Sequence, residues 1–101
     1  MKNYVYIFHV DAPVQPSDDQ MAAWGAWFAA LGDKLVDGGN PFNPAAEAHI
    51  KNGAVSMDAD TASGYMIVKA DNLEEAVEMG KGCPLLSDSH CSVSVYETMP
   101  M

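Results

Sequence analysis

The sequence predicts a single α+β domain whose elements follow the order β-α-β(β)-β-α-β. Residues 3–10 and 64–70 are short runs rich in β-branched and aromatic side chains, which is typical of strands. Residues 18–37 and 71–82 instead carry helix-start signals and helical spacing of apolar side chains. This order is the split βαβ arrangement of a ferredoxin-like fold, in which both helices cover one face of an antiparallel sheet.

The first predicted strand, NYVYIFHV, is bounded by Asp11 and Pro13. Because strand side chains alternate, Tyr4, Tyr6, Phe8 and Val10 share one face, and Val5, Ile7 and His9 share the other. Both faces are largely apolar, so we expect cover on both sides of this strand. The same run also reads as a strand rather than as a signal peptide, since it lacks a small-residue cleavage pattern.

The first helix is predicted over residues 18–37. One apolar face recurs every three or four residues, at Met21, Trp24, Phe28, Leu31 and Leu35. Gly38–Gly39 would supply the left-handed helix stop. Trp24 is therefore expected in the core, whereas Trp27 is expected at an interface or at the edge of a pocket.

Residues 40–64 are predicted to form a loop that contains a short β-hairpin. The segments EAHI and AVSM flank Asn52–Gly53, a dipeptide that favours two-residue hairpin turns. The strand GYMIVKA follows at residues 64–70. The second helix then starts at a cap formed by Asp71 or Asn72, and we expect Leu73, Ala76 and Val77 to face inward.

Composition and charge exclude several classes of function. Fourteen acidic residues against five lysines and no arginine give a net charge of −9, which argues against binding to nucleic acid or to an anionic membrane surface. The 49% hydrophobic content is that of a globular domain, and no apolar run approaches the length of a membrane-spanning helix. We therefore expect a cytoplasmic protein whose two cysteines are reduced.

The segment GKGCPLLSDSHCSVSVYE holds both cysteines and His90, and four interpretations compete for it. A zinc site would need thiolate pairs two to four residues apart and a second cluster, which Cys83 and Cys91 do not provide. A disulfide is disfavoured in the cytoplasm, and a catalytic thiol at Cys83 would face the unfavourable carboxyl end of a helix. An architectural role is favoured: Gly82 ends the helix, Cys83 is buried, and Pro84 prevents continuation.

His9 is the sharper catalytic candidate. It lies two residues before Asp11, so the two side chains share a face of the strand and can converge. A carboxylate that orients an imidazole raises its basicity, which suits a general base. The alternative is a structural histidine at a strand end whose hydrogen bonds are satisfied.

Three segments together resemble the YCII-related proteins, including the group named for a DGPF motif: MAAWGAWFAALGDKLVDGGNPF, SGYMIVKADNLEEAVEMGKGCPLL and SVSVYE. The resemblance implies a dimeric α/β barrel, in which ferredoxin-like subunits pair through their open sheet faces. Most members of this family have no assigned function, but some relatives are dehydrochlorinases or belong to ring-cleavage pathways, with a His–Asp pair proposed to act in the cleft. The DGPF motif is absent here, and residues 51–63 stand in its place.

Two functional hypotheses follow. In the first, the protein is a cofactor-free lyase or isomerase, or a small-molecule binder, with His9 as base or acid and Asp11 or Asp37 as its orienting carboxylate. Its pocket would be shaped by Tyr6, Phe8 and Trp27, with Cys83 and His90 as neighbours, and no metal or cofactor is expected. In the second, a non-catalytic accessory or regulatory homodimer binds a protein partner.

Overall fold

A computed structural model describes residues 1–11, 18–43, 46–56, 62–87 and 90–99. Its strands are β1 (Lys2–Val10), β2 (Leu35–Asp37), β3 (His49–Lys51), β4 (Ala54–Ser56), β5 (Ala62–Ala70) and β6 (Cys91–Glu97). Its helices are α1 (Asp18–Leu31) and α2 (Leu73–Gly80), with short 3-10 turns at Gly32–Lys34 and Pro84–Ser87. None of the helices in these ranges has the length and apolar character needed to cross a membrane.

The main sheet has the strand order β2-β5-β1-β6, and each neighbouring pair is antiparallel. With α1 between β1 and β2, and α2 between β5 and β6, this is the predicted ferredoxin-like arrangement. The prediction of the fold class is confirmed. β1 lies at the centre of the sheet, where Tyr6 is opposite Met66 on β5 and Val95 on β6.

The two faces of the sheet differ in burial. On the face that the helices cover, the largest fully buried side chains are Tyr4, Tyr6, Met66 and Val68. On the other side, which we call the second sheet face, the alternate residues of the same strands are only half-buried: Val5, Ile7 and His9 on β1, and Tyr65 and Ile67 on β5. The described part of the chain therefore leaves an apolar sheet surface partly accessible.

The prediction that the first helix extends to residue 37 was wrong. α1 ends at Leu31, because Gly32 takes a left-handed φ of +56°. Leu35 lies instead in the edge strand β2, opposite Val68 on β5, and packs against the core there. Its spacing from Leu31 fits a helix, but pairing with β5 gives its backbone a sheet partner and its side chain a buried position.

The inward face of α1 also differs from the expected one. Met21 is 62% exposed, whereas Trp27 is only 7% exposed and belongs to the core, with Trp24 and Phe28 packed beside it. The Trp27 indole Nε1–H donates to the Met79 carbonyl oxygen at the end of α2, at an N···O distance of 3.1 Å. Trp27 thus joins the two helices, which is the kind of buried hydrogen bond that an indole requires.

α2 begins at Asn72, whose side-chain oxygen accepts from the backbone N–H of Glu75 at 2.8 Å. Ala76 is buried as expected, but Leu73 and Val77 are exposed, contrary to the prediction. The Tyr6 hydroxyl donates to the Ala76 carbonyl oxygen, and the helix ends at Gly80, which lies against the Tyr6 ring. This close approach brings α2 onto the centre of the sheet.

The predicted hairpin is confirmed as β3 and β4, which form a separate two-stranded sheet. Its turn residues Asn52 and Gly53 have φ values of +53° and +78°. Positive φ at both central residues is the requirement of a type I′ turn, which explains why Asn-Gly occupies this position.

Gly39 is predicted to be indispensable for folding. Its φ is +70°, and a Cβ at this position would overlap the carbonyl group of Tyr65 on β5. We expect Gly39→Ala to lower the free energy of unfolding by at least about 2 kcal/mol, because left-handed strain and the backbone clash add. Gly38→Ala is the matched control, since nothing lies within 4 Å of a Cβ there. Equal urea midpoints for the two variants would contradict this account.

The ion pair between Lys34 and Glu75 should contribute to acid sensitivity. Lys34 Nζ lies 2.6 Å from Glu75 Oε1, and this hydrogen bond lowers the pKa of the Glu75 carboxyl from its ordinary value of 4.5. Its contribution to stability is therefore complete above that value and is lost as the pH falls through the lower pKa of the folded state. Melting temperatures between pH 6 and pH 3 should fall less for Glu75→Gln than for the wild type, whereas Glu78→Gln, in an exposed pair with Lys81, should follow the wild type.

Candidate functional site

Four polar side chains form two hydrogen-bonded pairs where the end of β1 lies beside the start of β6. The His9 Nε2 atom lies 2.9 Å from the Ser94 hydroxyl oxygen, and the His90 Nδ1 atom lies 3.2 Å from Asp11 Oδ1. His9 and Ser94 are half-buried, while Asp11 and His90 are exposed. We call these four residues the histidine cluster.

The antiparallel register of β1 and β6 explains this meeting. Val10 is opposite Cys91, and the Asp11 backbone N–H donates to the His90 carbonyl oxygen at 3.0 Å, which continues the ladder by one residue. His9 is opposite Ser92, so Ser94 is its diagonal neighbour on the same face. The register therefore brings together two pairs of side chains whose members lie about 80 residues apart in the sequence.

The predicted partner of His9 differs from the contacts found. Asp11 lies at the expected end of β1, but its carboxylate contacts His90 rather than completing the expected His9–Asp11 pair. His9 contacts Ser94, a residue that sequence reasoning missed. The signal that could have found it was the alternation of β6, which places Ser92, Ser94 and Tyr96 on the face opposite Cys91.

Asp37 lies away from the histidine cluster. It pairs with Ile67 at the β2 edge of the sheet, and its Oδ1 accepts from the Gly39 N–H at 2.7 Å. Ile67 is opposite Val5, four residues before His9 on β1. The separation along the strand direction alone is about 13 Å.

The side chains expected to shape the pocket lie on two sides of the sheet. His90 is in the histidine cluster, whereas Tyr6, Phe8, Trp27 and Cys83 are buried in the core under the helices. Trp27 does line a groove of about 490 Å³, but this groove lies between α1 and the end of α2, on the helix side. The sheet therefore separates these four side chains from His9.

Burial makes the core groups poor acid–base catalysts near neutral pH. Desolvation raises the pKa of the Tyr6 hydroxyl to about 12 and that of the Cys83 thiol to about 11. Both groups are then almost entirely protonated at pH 7. The architectural interpretation of Cys83 agrees with its position in the core.

The surface around the histidine cluster combines polar and apolar character. Along β1, the next residue on the second sheet face is Ile7, which is opposite Tyr65, and the Phe42 ring stacks on Tyr65 with its centroid 6.0 Å away. Among the described residues, no group of three or more histidine, cysteine or acidic side chains is arranged to hold a metal ion. An apolar surface beside imidazole and hydroxyl groups can bind a small organic molecule and exchange protons with it.

Comparison with solved structures identifies a protein of the same fold. The chain is similar to a 5-chloro-2-hydroxyhydroquinone dehydrochlorinase from Burkholderia phenoliruptrix AC1100, solved in complex with 2,5-dihydroxybenzoquinone. The TM-score is 0.63 at 18% sequence identity, over 98% of this chain and 94% of that one. No protein-family model and no curated protein sequence matches the chain. The likeness establishes the fold.

The two cysteines should differ strongly in reactivity. With a pKa of about 11, roughly one Cys83 in ten thousand is a thiolate at pH 7, and its side chain is buried. We expect a maleimide reagent to modify half-buried Cys91 first and Cys83 only after unfolding, as read by peptide mass spectrometry. In a Cys91→Ser variant only Cys83 can react. If the native form of this variant is labelled as rapidly as the native wild type, the burial of Cys83 is contradicted.

Proposed function

We propose that this protein binds a small organic molecule on the second sheet face and transfers a proton at His9, as a cofactor-free lyase or isomerase. The observation that carries the proposal is the histidine cluster, which combines an imidazole–hydroxyl contact and an imidazole–carboxylate contact on one apolar surface. The known activity of a protein with the same fold, a dehydrochlorinase, supports chemistry of this class. So does the resemblance of the sequence to the YCII-related proteins.

The proposed roles follow from the contacts. Ser94 orients the His9 ring through Nε2, so that the imidazole presents a defined edge to the ligand. Asp11 acts in the same way on His90 through Nδ1, which makes His90 the second acid–base group. Tyr65 and Ile7 provide the apolar surface on which the ligand rests.

A homodimer is part of the proposal. The second sheet face carries half-buried apolar side chains, and Tyr96, which shares this face opposite Val5, is exposed. Pairing of two such faces would bury this surface and exclude water from the histidine cluster, which strengthens its hydrogen bonds. Light scattering at micromolar concentration should then give twice the 10.8 kDa mass of one chain.

The test of catalysis is exchange of ligand protons with solvent deuterium. NMR would follow a panel of hydroxylated quinones, phenols and lactones with the wild type and with His9→Gln. We expect the variant to lower the rate of exchange by about 10²–10⁴-fold, as for loss of a general acid–base group. Ser94→Ala should lower it by about three- to tenfold, because one orienting hydrogen bond is lost.

His49→Gln is the matched control, since His49 lies on β3, in the separate hairpin sheet, where it contacts Glu47. It should leave the rate of exchange unchanged. If His9→Gln and the wild type exchange ligand protons equally fast, His9 has no part in the mechanism. Tight binding of a panel ligand without any exchange would instead assign the protein to the small-molecule binders.

A further inference from the structure

Tyr65 carries a hydroxyl group that the fold does not use. Its side chain is half-buried on the second sheet face. The two tyrosines of the core differ from it, because the Tyr4 hydroxyl donates to Glu97 Oε1 at 3.1 Å and the Tyr6 hydroxyl donates to the Ala76 carbonyl oxygen. Across the part of the chain that the structure describes, no group forms a hydrogen bond with the Tyr65 hydroxyl. This hydroxyl is therefore available to a ligand.

The Tyr65 ring is nevertheless held in a defined position. The Phe42 ring stacks on it with an angle of 24° between the two planes and a centroid separation of 6.0 Å. The Phe42 backbone is fixed in turn, because its N–H donates to the Ser63 carbonyl oxygen at 2.8 Å and the preceding Pro41 forms a β-bridge with Gly64. A ring packed in this way loses little conformational entropy when its hydroxyl binds a ligand.

The strand register places Tyr65 on the same small area of the sheet as the His9 imidazole. Ile7 on β1 is directly opposite Tyr65 on β5 and directly opposite Ser94 on β6. The three residues form a row across one face, and its two outer members are about 10 Å apart. The hydrogen bond between His9 Nε2 and the Ser94 hydroxyl draws the His9 ring toward this row. The phenol and the imidazole therefore border the surface above Ile7 from two directions.

Proton removal from carbon creates a negative charge that this surface has to stabilise. When a C–H bond beside a carbonyl group loses its proton to His9, the C–H electron pair forms a new carbon–carbon double bond. The π pair of the carbonyl group moves onto its oxygen, which then carries the charge of an enolate. A hydrogen-bond donor that is already fixed near this oxygen lowers the barrier, because it needs no reorganisation during the reaction.

Tyr65 is the hydroxyl of the second sheet face that is best suited to this task. The Ser94 hydroxyl contacts His9, whereas Ser92 and Tyr96 are exposed. Water competes for an exposed hydroxyl, and a hydrogen bond gains strength where water is excluded. Tyr65 combines a half-buried position, a fixed ring and an uncommitted hydroxyl.

We propose that the Tyr65 hydroxyl donates a hydrogen bond to the ligand oxygen that becomes negative while His9 removes a proton from the adjacent carbon. Tyr65 keeps its own proton throughout, so its role is to stabilise the oxyanion. The ligand then belongs to the class of planar carbonyl compounds that can form an enolate. This inference rests on the proposed function and deepens it by naming a further catalytic residue.

The first test is deuterium exchange into 2-indanone, a planar ketone with acidic C–H bonds, followed by NMR. Tyr65→Phe removes only the hydroxyl, so the stack with Phe42 remains and the urea midpoint should equal that of the wild type. We expect the variant to lower the rate of exchange by about 10²-fold, as for loss of one donor to an oxyanion. Exchange at the wild-type rate, alongside a slow His9→Gln variant, would overturn the role of Tyr65 and leave the proposed function intact.

Tyr4→Phe is the matched control, because it removes the same atom from a tyrosine on the helix side of the sheet. Its hydroxyl donates to Glu97, so this variant should lower the urea midpoint through loss of a hydrogen bond to a carboxylate. The rate of exchange of the folded protein should stay at the wild-type value. Loss of exchange in Tyr4→Phe as large as in Tyr65→Phe would overturn the inference, since both effects would then be structural.

Binding of an oxyanion gives a second reading that does not depend on turnover. The probe 4-nitrophenolate carries its charge on oxygen, whereas 4-nitroanisole has the same ring without the oxyanion. Isothermal titration should show that Tyr65→Phe lowers the affinity for 4-nitrophenolate by about tenfold or more and leaves the affinity for 4-nitroanisole unchanged.

The outcomes of the binding test separate this inference from the proposed function. If Tyr65→Phe and the wild type show the same behaviour toward 4-nitrophenolate, including no binding by either, the hydrogen bond from Tyr65 is overturned. A wild type that binds 4-nitrophenolate through Tyr65 but exchanges no ligand protons would overturn catalysis by His9 and Tyr65 together, and it would leave Tyr65 as a binding group.

Discussion

The antiparallel pairing of β1 with β5 on one side and with β6 on the other is the constraint on which the rest of the fold depends. With β1 at the centre of the sheet, the alternation of its side chains assigns each to one of two environments. Tyr4, Tyr6 and Phe8 point to the helices and form the core. His9, one residue further along, consequently lies on the opposite face, where it meets residues of β6.

The sheet thereby divides the ionisable groups of the protein into two populations. Under the helices, Tyr6 and Cys83 are desolvated, their pKa values are raised, and their role is packing. On the other face, His9, His90 and Asp11 remain within reach of solvent or of a ligand. A single strand can serve both purposes because neighbouring residues never share a face.

Local signals were sufficient for most of the fold. Runs of β-branched and aromatic side chains identified β1 and β5, and the Asn52–Gly53 dipeptide identified the hairpin, because each pattern lies within a few residues. The end of α1 was mispredicted because Leu35 fits the helical spacing of apolar residues and equally fits a strand position opposite Val68. Only pairing with β5 determines that Leu35 belongs to a strand. Trp27 was placed at an edge for a related reason: its position in the core depends on Met79 of the other helix.

The candidate site was predicted only in part, because local patterns place residues on a strand but do not specify which residues of another strand they contact. The position of His9 and Asp11 at the end of β1 follows from the sequence of that strand. Their contacts depend on the register between β1 and β6, which no local pattern specifies. Ser94 and His90 could be assigned as partners only after the two strands were aligned.

The long separation between β1 and β6 also bears on how the chain folds. Strand β1 is made first among the described elements, yet one of its two neighbours in the sheet is made last. During synthesis, one edge of β1 therefore stays unpaired until β6 has left the ribosome. Contacts between residues far apart in the sequence also slow the folding of small domains. The histidine cluster spans this last gap, so its assembly coincides with closure of the sheet.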